Sequence, residues 1–235
     1  MNSATLRVGI MLLIFAFPGQ TVRMEDHSDW WSILNENHRE PDWKPKETDL
    51  GIQSFTIAGV SLEKDQIEQV EAKLGKTRTV QRGDASGGRE QICYTSANGP
   101  EKIHLIFEYG EVESTFYLFA GGADWKGSRF CAPSDGVSNA LSTASGLKLG
   151  LSREQVESIL GKPDKAAGNK LVYFRETEKR TTAEEFERMR REYPEKLSDK
   201  DAHERFDSYT LMTYIEVRFV SSKTNYLAIS ATATN

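Results

Sequence analysis

From residue 61 onward, the spacing of apolar and polar positions divides the chain into helix-like and strand-like segments. Ile67, Val70 and Leu74 recur at helical spacing, with Ser61 as the expected N-cap and Gly75 where a left-handed C-cap residue belongs. Three runs with strand character follow: QICYTS (91–96), KIHLIFEY (102–109) and STFYLFA (114–120), the first two separated by a loop holding Asn98 and Gly99. The pattern then returns. Ser152 with Gln155 reads as a capping box, Val156, Ile159 and Leu160 form the apolar stripe, and Gly161 with Pro163 stops the helix. KLVYFRE (170–176), TLMTYIEVRFV (210–220) and TNYLAIS (224–230) complete the series, the last two joined by Ser221, Ser222 and Lys223.

The recurrence is also one of identity. EQVEAKLGK (68–76) reappears as EQVESILGK (154–162), differing only at Ala72/Ser158 and Lys73/Ile159. A three-stranded sheet with one apolar face needs a cover, and a short amphipathic helix supplies it. The expected fold is therefore α+β: two tandem repeats, 51–135 and 136–235, each a short helical segment packed on a three-stranded antiparallel sheet, the two small sheets supporting each other. The second repeat carries a helical insertion at 178–207. There Thr182 and Glu185 form a capping box, Phe186, Met189 and Tyr193 a narrow stripe, Pro194 a stop, and Ser198 the cap of a further helix reaching Phe206.

LGLSREQVESILGKPD (149–164) resembles the signature of the SmpA/OmlA domain, the fold of the outer-membrane assembly component BamE. Gly150, Ser152, Val156, Leu160, Gly161 and Pro163 fill the places of that motif. Two such units in tandem, in a secreted protein with disulfides, are similar to the architecture of the β-lactamase inhibitor proteins. The resemblance covers roughly residues 51–235 and implies a protein-binding role. The first copy departs from it, with Thr77 where the second has Pro163. No cysteine lies near residue 20, where lipidation of a BamE-type protein would need one.

Ahead of the repeats the patterning is different. MNSATLR followed by the apolar run VGIMLLIFAF (8–17) and PGQ has the layout of a signal peptide over residues 1–20, too short to span a bilayer as a helix. Residues 21–50 are polar and acidic, an arm or linker in which Trp30, Trp31, Ile33, Leu34 and Trp43 stand out as groups that dock on a surface. Export makes a disulfide the simplest reading of Cys93 and Cys131. The formal net charge of −5, without a Lys/Arg stripe, argues against nucleic acid as a partner.

Candidate chemistry is sparse. No nucleophile elbow, phosphate loop, zinc-protease motif or dinucleotide fingerprint is present, and GDASGG (83–88) lacks the lysine and preceding strand of a phosphate cradle. His27 and His38 fit no standard ligand spacing, and His203 falls in the charged insertion. Neither a metal nor a cofactor is expected. Strand alternation is more informative. Ile103, Leu105, Phe107 and Tyr109 share one face of their strand and leave His104, Ile106 and Glu108 on the other; Tyr214, Glu216 and Arg218 stand likewise opposite Thr213, Ile215 and Val217. If the helices cover the first set, His104, Glu108, Tyr214, Glu216 and Arg218 form an open sheet face with the composition of a protein-binding patch.

The sequence thus points to an exported, periplasmic or secreted, non-catalytic module. Its expected partner is another protein, an envelope component or a secreted enzyme, and the mature chain has no membrane span. Inhibition of a secreted hydrolase is the sharper variant. An enzyme or small-ligand carrier using a cleft between the repeats, where His104, Glu216 and Arg218 would converge, is the rival.

Overall fold

The computed structural model describes residues 45–82, 88–98, 102–110, 113–121, 130–192 and 198–234. The apolar run at 8–17, the tryptophans of the arm, His27, His38, most of GDASGG, Gly99, Tyr193 and Pro194 lie outside them. After a 3₁₀ turn (Ile52–Phe55), β1 (Thr56–Ile57) and β2 (Val60–Ser61) form a small hairpin. Then come α1 (Ile67–Leu74), β3 (Val80–Arg82), β4 (Arg89–Ser96), β5 (Lys102–Gly110), β6 (Glu113–Gly121) and β7 (Ala132–Ser134). The second series is α2 (Arg153–Leu160), β8 (Lys165–Ala167), β9 (Lys170–Arg180), α3 (Ala183–Glu192), α4 (Asp199–Phe206), β10 (Ser208–Val220) and β11 (Lys223–Thr234). The protein is α+β.

The two strand series do not form separate sheets. They join in one antiparallel sheet of order β3-β4-β5-β6-β11-β10-β9-β8, with β7 added parallel to β4. The join is β6 on β11, running through Leu118↔Leu227, Tyr117↔Ala228 and Phe116↔Ile229. This corrects the expectation of two small sheets leaning on each other. The last strand of each meander would otherwise be an edge with a row of unpaired N–H and C=O groups; pairing the two edges satisfies both.

Both repeated helices pack on one face of this sheet. Ile67, Val70 and Leu74 of α1 and Val156 and Leu160 of α2 share a single core with Leu105, Phe107, Phe116, Leu118, Ile215, Val217, Leu227 and Ile229. α2 begins as its sequence indicates: Ser152 Oγ accepts from the Gln155 N–H at 3.3 Å, and Gln155 Oε1 accepts from the Ser152 N–H at 2.8 Å. α1 begins later than expected. Ser61 is held in the β1–β2 hairpin, its N–H donating to Asp65 Oδ2 at 2.7 Å, and Gln66 is the N-cap, with Gln69 Oε1 accepting from its N–H at 3.0 Å. The two ends match. Gly75 (φ 97°, ψ 158°) and Gly161 (φ 78°, ψ −165°) end the helices in a positive-φ extended conformation open to glycine, rather than the expected left-handed helical one, and their carbonyls accept from Tyr94 Oη (2.6 Å) and Tyr173 Oη (3.2 Å). A strand tyrosine therefore ties down each helix end.

β9 and β10 run beyond the rest of the sheet to the pair Arg180↔Ser208, and α3 and α4 close the tip of this long hairpin. Thr182 and Glu185 cap α3, Ser198 Oγ accepts from the Asp201 N–H at 3.2 Å to cap α4, and Phe186 stacks on His203 at 4.7 Å. At the other end of β10, Val220 pairs with Lys223 across a two-residue turn in which Ser221 (φ 49°) and Ser222 (φ 63°) are both left-handed. That geometry favours Asn-Gly, and serine at the second position costs about 1 kcal/mol. Ser222→Gly should therefore raise stability by about 0.5–1 kcal/mol in urea unfolding; an unchanged midpoint would show the turn to be unstrained.

The described chain starts at the edge of the sheet. Lys46 lies parallel to β9 at Arg175, its N–H donating to the Phe174 carbonyl (3.2 Å) and its carbonyl accepting from the Glu176 N–H (3.0 Å). Lys46 Nζ also pairs with Asp164 at 2.6 Å, and Asp49 pairs with Lys179 at 2.6 Å.

Candidate functional site: the second face of the sheet

The register across six strands builds the face opposite the helices. One row runs Gln91, Glu108, Thr115, Ser230, Tyr214, Phe174; the next Cys93, Ile106, Tyr117, Ala228, Glu216, Val172; the third Thr95, His104, Phe119, Tyr226, Arg218, Lys170. All five residues singled out from alternation, His104, Glu108, Tyr214, Glu216 and Arg218, lie on this face. Three of them meet. Glu216 accepts from Tyr214 Oη (2.7 Å) and from Arg218 Nε (2.5 Å), and pairs with Lys170 Nζ at 2.6 Å. Glu108 belongs to a separate group: it pairs with Arg89 Nη1 at 2.6 Å and accepts from the Gln91 amide, while Arg89 Nη2 reaches Glu113 at 2.8 Å. His104 stands three strands from Arg218, roughly 14 Å at the usual strand spacing. The convergence of His104, Glu216 and Arg218 does not form.

The expectation that this face is open is corrected. His104 and Glu216 are 0% exposed and Glu108 2%, and Tyr214 is also buried. Only Arg218 keeps substantial access, with 33% of its side chain exposed. Alternation along a strand reports which face a residue takes, not what lies over that face. Cys131 contributes here: it is bonded to Cys93, whose side chain stands in the middle row, with the Cα atoms 4.4 Å apart.

The third row is continuous. His104 and Phe119 have ring centroids 5.2 Å apart, Phe119 and Tyr226 6.3 Å, and the Arg218 guanidinium lies 4.8 Å over the Tyr226 ring. Phe119, Tyr226, Arg89 and Lys170 were not singled out from the sequence. Their alternation was legible, but the row depends on β6 pairing with β11, which local spacing does not encode.

Burial and charge set the electrostatics. Burial, then the Glu216 carboxylate, push the Tyr214 phenol far above its ordinary value; burial and Glu108 do the same to Tyr117. Burial alone would lower the Arg89 guanidinium, but Glu108 and Glu113 outweigh it and hold it above its usual value. Burial, reinforced by Lys102, pushes His104 down to about 4 from 6.5. A histidine depressed on folding takes its proton more readily in the unfolded chain. Stability should therefore fall as pH drops from about 6.5 towards 4, by at most about 1.4 kcal/mol per pH unit. Urea titrations of the wild type and His104→Phe should show that slope in the first and a shallower one in the second; equal slopes would remove His104 as the cause.

Each charge pair has its carboxylate inside and its cation outside. Glu108 and Glu216 are buried, whereas Arg89 and Lys170 are each 36% exposed at the side chain, like Arg218 in part. What this face offers solvent is positive charge over a buried aromatic row, Phe119 being 5% and Tyr226 6% exposed, although the whole chain is acidic. Among the described residues, no three metal-ligating side chains come together, and no helix is long and apolar enough to cross a membrane. Comparison with known protein families, with curated proteins and with solved structures finds no match to this chain.

Proposed function

We propose that this is an exported, non-catalytic protein-binding module of the cell envelope or extracellular space, made of two SmpA-like units joined edge to edge. It would engage its partner through the cations that stand at the solvent side of the sheet face opposite the helices, Arg89, Lys170 and Arg218. The tandem reading is supported by the element order, helix, short strand and three long strands, occurring twice, and by the matched bonds of Tyr94 to Gly75 and Tyr173 to Gly161. The binding reading is carried by one observation: on the face that α1 and α2 leave alone, a buried aromatic row crosses β5, β6 and β11 and ends under Arg218, with Arg218 and Lys170 33% and 36% exposed at the side chain. Large aromatic groups surrounded by arginine are the usual energetic centre of a protein interface. The fitting partner presents carboxylates to Lys170 and Arg218, the chemistry sought in an envelope component or in a secreted hydrolase that the module would inhibit.

The test is capture from envelope and culture-supernatant fractions with the wild type, Arg218→Gln and Arg153→Gln. Arg218→Gln leaves Glu216 bonded to Lys170 and Tyr214, so the fold is retained. Arg153 lies by Phe219 on the helix side and serves as the control. A stoichiometric partner should bind about tenfold more weakly to Arg218→Gln and unchanged to Arg153→Gln, with affinity falling as salt rises. Equal binding by all three proteins would place the interface elsewhere.

A further inference from the structure

The cations of the second face are not spread evenly over it. The register gathers four of them at one end of β8, β9, β10 and β11. Lys170 stands opposite Arg218, Lys165 opposite Val172, and Lys223 opposite Val220. Paired residues share a face of a sheet. Val172, Arg218 and Val220 alternate with Leu171, Val217 and Phe219, which belong to the helix-side core. Lys165, Lys170, Arg218, Val220 and Lys223 therefore lie together at one corner of the second face.

This corner reaches solvent, unlike the aromatic row beside it. Lys165 and Lys223 are exposed, and Lys170 and Arg218 are partly so. Val220 is 57% exposed, and among the described residues only Ile52 is another large apolar side chain left in water. The charge is unbalanced as well. Glu216 is buried and answers Lys170 and Arg218 together, one carboxylate for two cations. Glu154, at the start of α2 on the helix side, is close enough to feel the charge of Lys223. Glu176 and Glu178 share the face, but they lie well along β9 from Lys170, about 20 Å or more away. Arg89 stands outside the corner, four strands from Arg218 and held by Glu108 and Glu113.

Dimensions and chemistry together select the occupant. From β8 to β11 there are three strand spacings, roughly 14 Å, the length of about four extended residues. Nucleic acid is a poor fit. The rings on which bases would stack, Phe119 and Tyr226, are buried, and the acidic chain as a whole repels phosphate. A lipid surface fits poorly too, because one exposed valine offers little apolar area for insertion. A short run of carboxylates with an apolar neighbour answers both the cations and Val220.

We propose that this corner is the seat of the partner, and that it takes an exposed acidic segment of a protein: roughly three or four carboxylates within about five residues, beside an apolar side chain that covers Val220. The seat rests on the binding reading above and narrows it. Recognition is by a linear segment lying across the strand ends, and the rest of the sheet face takes no part in it.

Titration of the isotope-labelled protein with the peptide Asp-Glu-Leu-Glu-Asp, read by amide chemical shifts, tests the seat without a known partner. Shifts should move at residues 165–170 and 218–223, and stay still with the amide counterpart Asn-Gln-Leu-Gln-Asn. No movement, movement only elsewhere (around Arg89, for example) or an equal response to both peptides would overturn the seat. So would movement at the corner with phosphatidylserine vesicles but not with the acidic peptide. The second arm uses a captured partner. Lys165→Gln with Lys223→Gln should weaken its binding about tenfold, and Val220→Ser about fivefold. These side chains are exposed, so folding is retained. A partner that binds Arg218→Gln weakly but these variants as tightly as the wild type would sink the seat and leave the binding reading standing. If no partner is captured, the binding reading falls, and the peptide shifts alone decide whether the corner takes acidic segments.

Discussion

Replacing Asp164 by alanine is expected to destabilise the protein by about 3–5 kcal/mol, the usual result of stripping one partner from a buried ion pair. Asp164 sits just after the stop of α2, and three groups converge on its carboxylate. Oδ2 pairs with Arg175 and accepts from the Phe174 N–H at 2.7 Å, and Oδ1 pairs with Lys46 at 2.6 Å. The side chains of Arg175 and Asp164 are only 5% and 4% exposed, so neither ion has water to fall back on. Burial already lowers the Arg175 guanidinium below its ordinary value. Without Asp164 that cation is left buried over the Tyr173 ring, 5.8 Å from its centroid, and the tether of Lys46 is lost with it. Lys46→Ala is the informative control, because its side chain is 52% exposed and its loss should cost less than about 1 kcal/mol. Urea unfolding at constant slope would measure both. Equal losses in the two variants would mean that the Arg175 pair contributes nothing beyond a surface contact.

The second large effect concerns Cys93 and Cys131. Their bond closes a loop with a separation of 38 residues, and the chain-entropy estimate for removing it is about 4 kcal/mol, acting mostly on the unfolded state. Cys93→Ala with Cys131→Ala should lower Tm by about 8–16 °C at the usual size scaling. The native fold should survive under mild conditions, because β7 is also held by its parallel pairing of Ala132 with Tyr94 and by Ser134 Oγ donating to the Leu74 carbonyl at 3.0 Å. Reduction of the wild type should reproduce the loss, and reductant should leave the variant unmoved. A variant as stable as the oxidised wild type would show that the link constrains little beyond what β7 already does.

Much of the architecture follows from local spacing. Strand ends read from alternation extend by only a few residues in the structure, apart from β9, which continues past Glu176 to Arg180. The reason is that side chains on strands 102–110, 113–121 and 208–220 alternate with period two, and glycine with positive φ ends both repeated helices. Ser61 shows the limit of such reading. It has the chemistry of an N-cap, but a hairpin that brings Val60 and Ile57 into the core claims it first, and Gln66 takes the cap. A local signal loses when a better-buried alternative uses the same residue.

The candidate site divides in the same way. Alternation placed His104, Glu108, Tyr214, Glu216 and Arg218 on one face, because a strand's side-chain direction is a property of the strand alone. It did not reveal that Glu216 holds Tyr214, Lys170 and Arg218 while Glu108 holds Arg89 and Gln91. Those groupings depend on register between strands up to 46 residues apart in sequence, as Glu216 and Lys170 are. The aromatic row depends on more, since Phe119 and Tyr226 become neighbours only when β6 and β11 pair.

The sequence by itself determined the α+β class, the positions of the repeated helices and long strands, the helical insertion and the cysteine pair. Each of these is written in spacing or in residue chemistry within a short window. Only the tertiary structure decided that the two meanders merge into one sheet, that the face opposite the helices is withdrawn from solvent, and that its cations stand outside its carboxylates. Those outcomes come from which edges find hydrogen-bond partners and from what covers each face, and both are set by contacts between residues far apart along the chain.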